Sequence, residues 1–290
     1  MKSFDLFTDA TVDLSKAAFQ SIDLTVIPMR YFVGDETFVH TPGPNQMSGQ
    51  RFYAMLKAGA DVTTSTVSPD EFVTHFTPSL QAGRDVLYIG VSNALSGTFG
   101  FSLAAAELLR EQFPGRRILC IDSLAAAAAQ GLLLLYADRL RAEGEHVDQV
   151  AEAVQDAVLH TAVYLAVEDL GALRKSGRIS GLVATASSAL GIRPILRLDS
   201  EGRLGLGGTA RGKAKCMKFM VEQIKKNYRP RPSSTIFVLH TNCEDDAKEF
   251  AEIIPAQIPG CETELAEVGP IIGTHVGSGV LAACYCCIAR

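Results

Sequence analysis

The chain has 290 residues, 47% of them hydrophobic, enough for one large α/β domain or two ordinary ones with a real core, so disorder is excluded as its dominant state. Lys and Arg number 27 against 32 Asp and Glu, a net charge of -5, and the basic footprint of a nucleic-acid-binding protein is missing. The longest uncharged central run, Ser123 to Ala137, spans about fifteen residues and is interrupted by Gln130, too short to cross a bilayer.

At the N-terminus, Asp5, Asp9 and Asp13 leave no room for the apolar stretch of an export signal. The cysteines are seven, an odd number, scattered and partly inside apolar runs, which argues against a disulfide framework. These features predict a reduced, cytoplasmic protein without a membrane anchor.

Short apolar runs alternate with longer helical patterns, the rhythm of βα units and a largely parallel sheet. The first strands are expected at Phe4–Thr8 and Leu24–Pro28. Ser48 caps a helix running to Met55–Lys57. Ser68-Pro69-Asp70-Glu71 places a hydroxyl at the N-cap, proline at the first helical position and a carboxylate at the third, which predicts a helix from Pro69 to about Leu80, ended by Gly83. A strand follows at Val86–Val91, a helix at Phe101–Phe113 and a strand at Ile118–Ile121.

The segment Leu124–Tyr136 is apolar on all sides and reads as a helix buried between layers. Residues 144–161 form a charged helical stretch. Beyond it come strands at Val163–Val167 and Ile195–Leu198, a hairpin-like piece over Asp199–Gly208, and a helix over Lys213–Tyr228 with Met217, Met220, Val221 and Ile224 on one face. Strands at Thr235–His240, Glu262–Val268 and Leu281–Ile288 close the pattern. A soft boundary near residue 162 divides the chain into an N-terminal α/β domain, 1–162, and a C-terminal one, 163–290.

Several motifs fail on chemistry. Gly207 to Lys213 matches the G-x-x-x-x-G-K spacing of a phosphate loop, but Ala214 occupies the place of the magnesium-binding hydroxyl. Gly205 to Ala210 fits G-x-G-x-x-A without an acidic residue on a following strand. Gly90-Val91-Ser92-Asn93-Ala94 nearly forms a nucleophile elbow, with Ala94 where glycine belongs. Neither H-E-x-x-H nor paired C-x-x-C occurs, so no metal is predicted.

Two hydroxyl-rich loops survive this filter. Ser92-Asn93-Ala94-Leu95-Ser96-Gly97-Thr98 follows a buried strand and precedes a helix, where the N–H groups of a helix start favour an anion. Thr63-Thr64-Ser65-Thr66 likewise precedes a capped helix. Arg174 to Ile179 and Gly273 to Gly279 add Arg178 and His275 on glycine-rich turns, suited to a phosphate or a developing oxyanion. Read alone, these residues are equally ordinary caps and turn charges.

Together, Phe7-Thr8-Asp9-Ala10-Thr11-Val12-Asp13-Leu14, Thr64-Ser65 with Ser68-Pro69, Leu95-Ser96-Gly97-Thr98, Ile121-Asp122-Ser123, Arg178-Ile179 and Ile272-Gly273-Thr274-His275 resemble the DegV family of bacterial fatty-acid-binding proteins. The resemblance runs in order over nearly the whole chain. It implies a two-domain α/β fold, with a mostly parallel sheet in the first domain and a mixed second domain, enclosing one long-chain fatty acid and no cofactor.

The resemblance also implies that Thr64 and Ser96 hold the ligand's carboxylate, with Ser65, Ser92, Gly97 and Thr98 in support and Arg178 and His275 beside the carboxyl end. Some members of the family are the acyl-carrying subunit of a fatty acid kinase, in which a separate ATP-binding protein phosphorylates the bound carboxylate. This chain departs from the family pattern at Val67, Asn93, Ser176 and Ser278.

A long acyl chain offers roughly fourteen methylenes, worth about 0.8 kcal/mol each on burial. The gain is on the order of 11 kcal/mol before losses of ligand freedom, which permits tight but reversible binding. The buried carboxylate then needs donors, which hydroxyls supply. Leu132 to Leu135 and Phe101 are candidates to line the acyl tunnel. Two other functions remain open at this stage: a freestanding acyl hydrolase or small-substrate kinase using Ser92 or Ser96 with His275, and a lipid-sensing regulator without a kinase partner.

Overall fold

The computed structural model describes residues 3–42, 47–168, 170–179, 191–230 and 235–290. Its first half runs β1 (Phe4–Asp9), α1 (Lys16–Ser21), β2 (Thr25–Ile27), β3 (Met29–Val33), β4 (Glu36–His40), α2 (Gly49–Lys57), β5 (Val62–Thr64), α3 (Pro69–Gln81), β6 (Asp85–Gly90), α4 (Thr98–Gln112), β7 (Ile118–Asp122), α5 (Ala127–Ala142) and α6 (Val147–Ala157). The second half runs β8 (Thr161–Ala166), α7 (Gly171–Lys175), β9 (Ile192–Leu198), β10 (Leu204–Arg211), α8 (Lys213–Asn227), β11 (Ile236–His240), α9 (Glu244–Gln257), β12 (Thr263–Glu267), α10 (Pro270–Val276) and β13 (Leu281–Cys286).

The first sheet has the order β2-β1-β6-β7 and is wholly parallel. Parallel strands need crossovers, and helices on the sheet faces bury both sides, which is why β6 reads Val86-Leu87-Tyr88-Ile89 without a polar alternate. The second sheet, β10-β9-β8-β13-β11-β12, is antiparallel except between β11 and β12. On β13, Leu281, Ala283 and Tyr285 pack with Met217 and Phe250 under α8 and α9, while Ala282, Cys284 and Cys286 pack toward the first half. The period of two thus splits one strand between two cores. Leu6, Leu87 and Leu133 of the first half share a single core with Leu165, Leu196 and Leu239 of the second.

The capping box of α3 forms as the sequence predicts: Ser68 Oγ accepts the N–H of Glu71, and the Glu71 carboxylate accepts the N–H of Ser68. The hairpin over 199–208 also forms, as the turn between β9 and β10. No disulfide links the cysteines.

Three expectations are corrected. The helix expected from Leu124 begins at Ala127, because Leu124 (φ 48°) and Ala127 (φ 54°) adopt left-handed backbone. Their N–H groups are fixed by Asp122 Oδ1 and the Thr11 carbonyl, respectively. The strand expected over Leu24–Pro28 forms as β2, but the stretch from there to Val86, expected to hold no further strand, carries β3, β4 and β5 as a separate three-stranded antiparallel sheet. The glycine-rich turn around His275 is a short helix, started by Pro270 at its first position and ended at Gly277 (φ 79°).

The phosphate-loop spacing Gly207 to Lys213 lies on β10 and at the start of α8. Gly208 packs under the Phe219 ring, where a β-carbon would approach to 2.5 Å, and the Lys213 ammonium pairs with Asp246. These residues serve packing.

Candidate functional site

Beyond the carboxyl ends of β1 and β6, the first sheet stops short of the second and leaves a cavity of about 130 Å³. This is where α/β sheets present ligands. Its aliphatic wall comes from the inward face of the second sheet: Val163 and Leu165 of β8, Leu198 of β9, Leu239 of β11 and Ala282 of β13. Leu165, Ala282 and Leu239 stand side by side in register on adjacent strands. The opposite wall includes Val91, Leu95, Ala126 and Ala127, and α10 adds Ile271, Ile272 and Val276.

The polar side chains of the lining are Thr11, Thr64, Ser65, Thr66, Ser96, Arg178 and His275. The end of β5 carries Thr64, whose Oγ1 lies 2.9 Å from His275 Nε2. Arg178 donates from Nε to the Leu95 carbonyl at 3.2 Å and from Nη1 to the Ser176 carbonyl at 2.6 Å, which sets its guanidinium against the residue before Ser96. Ser96 Oγ lies 3.0 Å from Thr98 Oγ1 and accepts the Thr98 N–H, so it sits at the start of α4.

Two buried polar atoms in this group, Ser65 Oγ and His275 Nδ1, have no hydrogen-bond partner among the described residues. Burial, together with the positive charge of Arg178, pushes the His275 imidazole down to about 4, so the ring is neutral at pH 7. A neutral ring bonded to Thr64 through Nε2 either gives or takes that one proton, according to tautomer.

Beneath the cavity a buried network ties the loop residues down. Asp9 accepts the Tyr88 hydroxyl at 2.7 Å, the Val91 N–H at 2.9 Å and the Thr11 N–H at 3.1 Å. Gln130 accepts from Thr11 Oγ1 and donates to Thr8 Oγ1. Sequence reasoning missed Thr11 as a lining residue, yet the signal was present: Gln130 is the single polar break in an apolar helix, and a buried amide needs partners.

The structure gathers Thr64, Ser65, Ser96, Arg178 and His275 on one cavity. Ser92, Gly97 and Thr98 lie outside the described lining. Ser92 is fully buried and donates to the Gly202 carbonyl at 3.0 Å, Gly97 caps α4, and Thr98 contacts Ser96. The tunnel candidates Leu132 to Leu135 and Phe101 do not line the cavity. Leu132, Leu133 and Leu134 are core packing of α5 between layers, and Phe101 is 40% exposed on the solvent face of α4. Among the described residues, no group of acidic, His and Cys side chains is arranged to hold a metal ion, and no helix is long and apolar enough to cross a membrane.

Fold and cavity together define a three-sheet α/β protein with an aliphatic interior chamber bordered by hydroxyls, one neutral imidazole and one guanidinium. The chain belongs to the DegV family: the family model described as "Uncharacterised protein, DegV family" matches residues 3–287. A DegV domain-containing protein of Clostridium perfringens is 32% identical over 282 residues, covering 97% of both chains.

A fatty-acid-binding DegV family protein of Thermus thermophilus superposes with a TM-score of 0.86 at 25% identity, over 99% of this chain and 100% of that one. A DegV family protein of Eubacterium eligens loaded with heptadecanoic acid has the same fold, with a TM-score of 0.84 at 19% identity over 98% of this chain and 99% of that one.

Proposed function

We propose that this protein binds a long-chain fatty acid, with the tail in the aliphatic chamber and the carboxylate held by Thr64 and Ser96, and presents that carboxylate to a separate ATP-dependent kinase. The observation that carries the reading is that hydroxyls, His275 and Arg178 line one otherwise aliphatic cavity, with Thr64 bonded to His275. The fatty acid named for the Thermus thermophilus relative and the heptadecanoic acid in the Eubacterium eligens relative support it.

The hydroxyls serve an anion that must later react. They donate hydrogen bonds to the carboxylate without the permanent ion pair that would hold it in its ground state. For Thr64 to give its only proton to the ligand, its oxygen must accept from His275, which fixes the Nε2–H tautomer. In the transfer step a carboxylate oxygen attacks the γ-phosphorus of ATP, the bond to the bridging oxygen breaks and ADP leaves. Arg178 is placed to offset charge on the moving phosphoryl group, while ATP and its metal ion belong to the partner.

On this reading residues 1–162 and 163–290 are two units meeting at the chamber, and the protein works in the cytoplasm with its kinase. A hydrolase would need Ser92 or Ser96 on the imidazole; the hydroxyl of Ser92 is turned to Gly202 and His275 is turned to Thr64.

The test has two stages. Lipid extracted from the purified protein and identified by mass spectrometry should be long-chain fatty acid; a protein that carries none and takes up none on incubation ends the reading. Acyl phosphate should then form only when the loaded protein, ATP and a kinase partner are combined, and Arg178→Ala should slow that step more than it weakens retention. Ester cleavage by the chain alone, lost in His275→Ala, would favour the hydrolase, and retention without any kinase-dependent product would favour a lipid sensor.

A further inference from the structure

Away from the chamber, three chain segments meet at one buried polar point. Asp13 follows β1, His40 ends β4, and Gly269 opens α10. Asp13 Oδ1 accepts the Gly269 N–H at 2.9 Å, while Asp13 Oδ2 and both ring nitrogens of His40 are buried without a hydrogen-bond partner among the described residues. A β-carbon on Gly269 would stand 2.8 Å from His40 Nε2 and 2.9 Å from Asp13 Oδ1, so carboxyl and imidazole flank the same backbone atom. Three unpartnered buried atoms beside one bond are costly unless something else depends on them.

What depends on them is the helix. Tyr53 donates its hydroxyl to the Val268 carbonyl at 2.6 Å, and a β-carbon on Gly273 would meet that hydroxyl at 2.5 Å. The first turn of α10 is thus fixed by Asp13 and Tyr53, and its last turn carries His275 to Thr64. Six residue steps lead from Gly269 to His275, about 9 Å along the axis, and a hydrogen-bonded helix this short moves as one piece. A displacement at Gly269 is delivered to the imidazole.

We propose that Asp13 is a positioning residue for His275: its carboxyl group holds the first turn of α10 and, through that helix, keeps the imidazole at Thr64. The effect on ligand rests on the fatty-acid reading above; the effect on His275 does not.

The groups facing Asp13 are Glu267 at the end of β12, Tyr53 on α2, His40 and Cys284 on β13, none of them positively charged at pH 7. Burial, with the Glu267 charge adding to it, pushes the Asp13 carboxyl up to about 8, and burial pushes His40 down to about 4. An ionised Asp13 has two acceptor oxygens and one donor, Gly269, and leaves an anion stranded. The Gly269 N–H works against this shift, because an ionised carboxylate accepts it more strongly, so the bond that holds the helix does not depend on Asp13 keeping its proton.

The test reads the imidazole directly, by NMR of the ring nitrogens in the ligand-free protein, with the signal assigned through its loss in His275→Gln. Asp13→Asn keeps an oxygen for Gly269 and should leave the His275 signal in place. Asp13→Ala, which removes the acceptor for the Gly269 N–H, should shift it. A folded Asp13→Ala with an unshifted ring overturns the proposal, and so does an Asp13→Asn ring shifted as far as that of Asp13→Ala.

Where Asp13→Ala does not fold, Asp13→Val, which fills the space without offering an acceptor, gives the same reading: its ring should be shifted, and an unshifted one overturns the proposal. A wild type that takes up no fatty acid sinks the lipid reading and leaves this result standing.

Discussion

Thr64 and His275 are 211 positions apart in the chain and 2.9 Å apart in the fold, Oγ1 to Nε2. The contact joins the end of β5, in the three-stranded sheet, to the last turn of α10, and closes the polar side of the chamber. Replacing Thr64 with valine keeps the shape and deletes the hydroxyl, a hydrogen bond to a charged group worth roughly 1.5–3 kcal/mol. Fatty-acid affinity should fall about 10- to 100-fold, read by displacement of a fluorescent fatty acid. The Thr64→Val/Ser96→Ala double variant should lose retention on purification; full retention in that protein would remove the carboxylate assignment.

The strands of the parallel sheet and the capping box of α3 were legible because their causes are local: runs of buried apolar residues, and a hydroxyl three positions before a carboxylate. Thr64, Ser96, Arg178 and His275 stood out as hydroxyls and charges on loops, and the family resemblance ordered them. The chamber wall was not legible. Val163, Leu239 and Ala282 look like any strand residue until β8, β11 and β13 are in register, and register is a long-range property. Phe101 and the leucines of α5 misled for the same reason: apolar character says a residue can be buried, not against what. The short helix of His275 was hidden by Gly273 and Gly277, of which the first makes room for the Tyr53 hydroxyl and the second ends the helix.

Stability should depend on pH through three buried groups of opposite sign. His40 and His275 are both pushed by burial from the ordinary 6.5 to about 4. Between those values the unfolded chain binds protons that the folded chain does not, so stability rises with pH across about 4 to 6.5 and is lost on acidification through it. Asp13 works the other way: the folded chain holds its proton up to about 8, whereas the unfolded chain releases it near 3.8, so this contribution falls as pH rises.

Urea midpoints at pH 4.5, 6.5 and 8.5 separate the terms. Relative to wild type, His40→Gln should lose least in acid, and Asp13→Asn should gain most at pH 8.5. Parallel curves for all three proteins would contradict these shifts.

The side chain of Arg290 is half-buried among backbone carbonyls, donating to those of Thr161 and Leu124 at 2.6 and 2.5 Å and to that of Val158 at 3.1 Å. Burial lowers its guanidinium to about 10, still charged at neutral pH. It braces the left-handed turn at Leu124 that leads into the lining residues Ala126 and Ala127. Arg290→Ala leaves several buried carbonyls unpaired, each costing about 1–3 kcal/mol when no water reaches it. A loss on the order of 3 kcal/mol in urea denaturation is expected, with Arg290→Lys recovering only part, because one ammonium cannot reach carbonyls spread around a planar fork. A difference within error of zero would show that water replaces the guanidinium.

Ala282 gives the most direct handle on the tail. It is 4% exposed, sits in register between Leu165 and Leu239, and borders the chamber where its neighbours on both sides are leucines. In a filled core, alanine to phenylalanine would cost about 1–3 kcal/mol of overpacking. Here the ring has an existing void to enter, so Ala282→Phe should fold with a smaller penalty and occupy space that the reading assigns to methylenes. Each methylene excluded from the chamber forfeits about 0.8 kcal/mol, so the longest acids should suffer most. Mass spectrometry of the acids that co-purify should shift toward shorter chains in Ala282→Phe while Thr64 and Ser96 are untouched. An unchanged chain-length profile in the folded variant would mean that the tail does not pass Ala282.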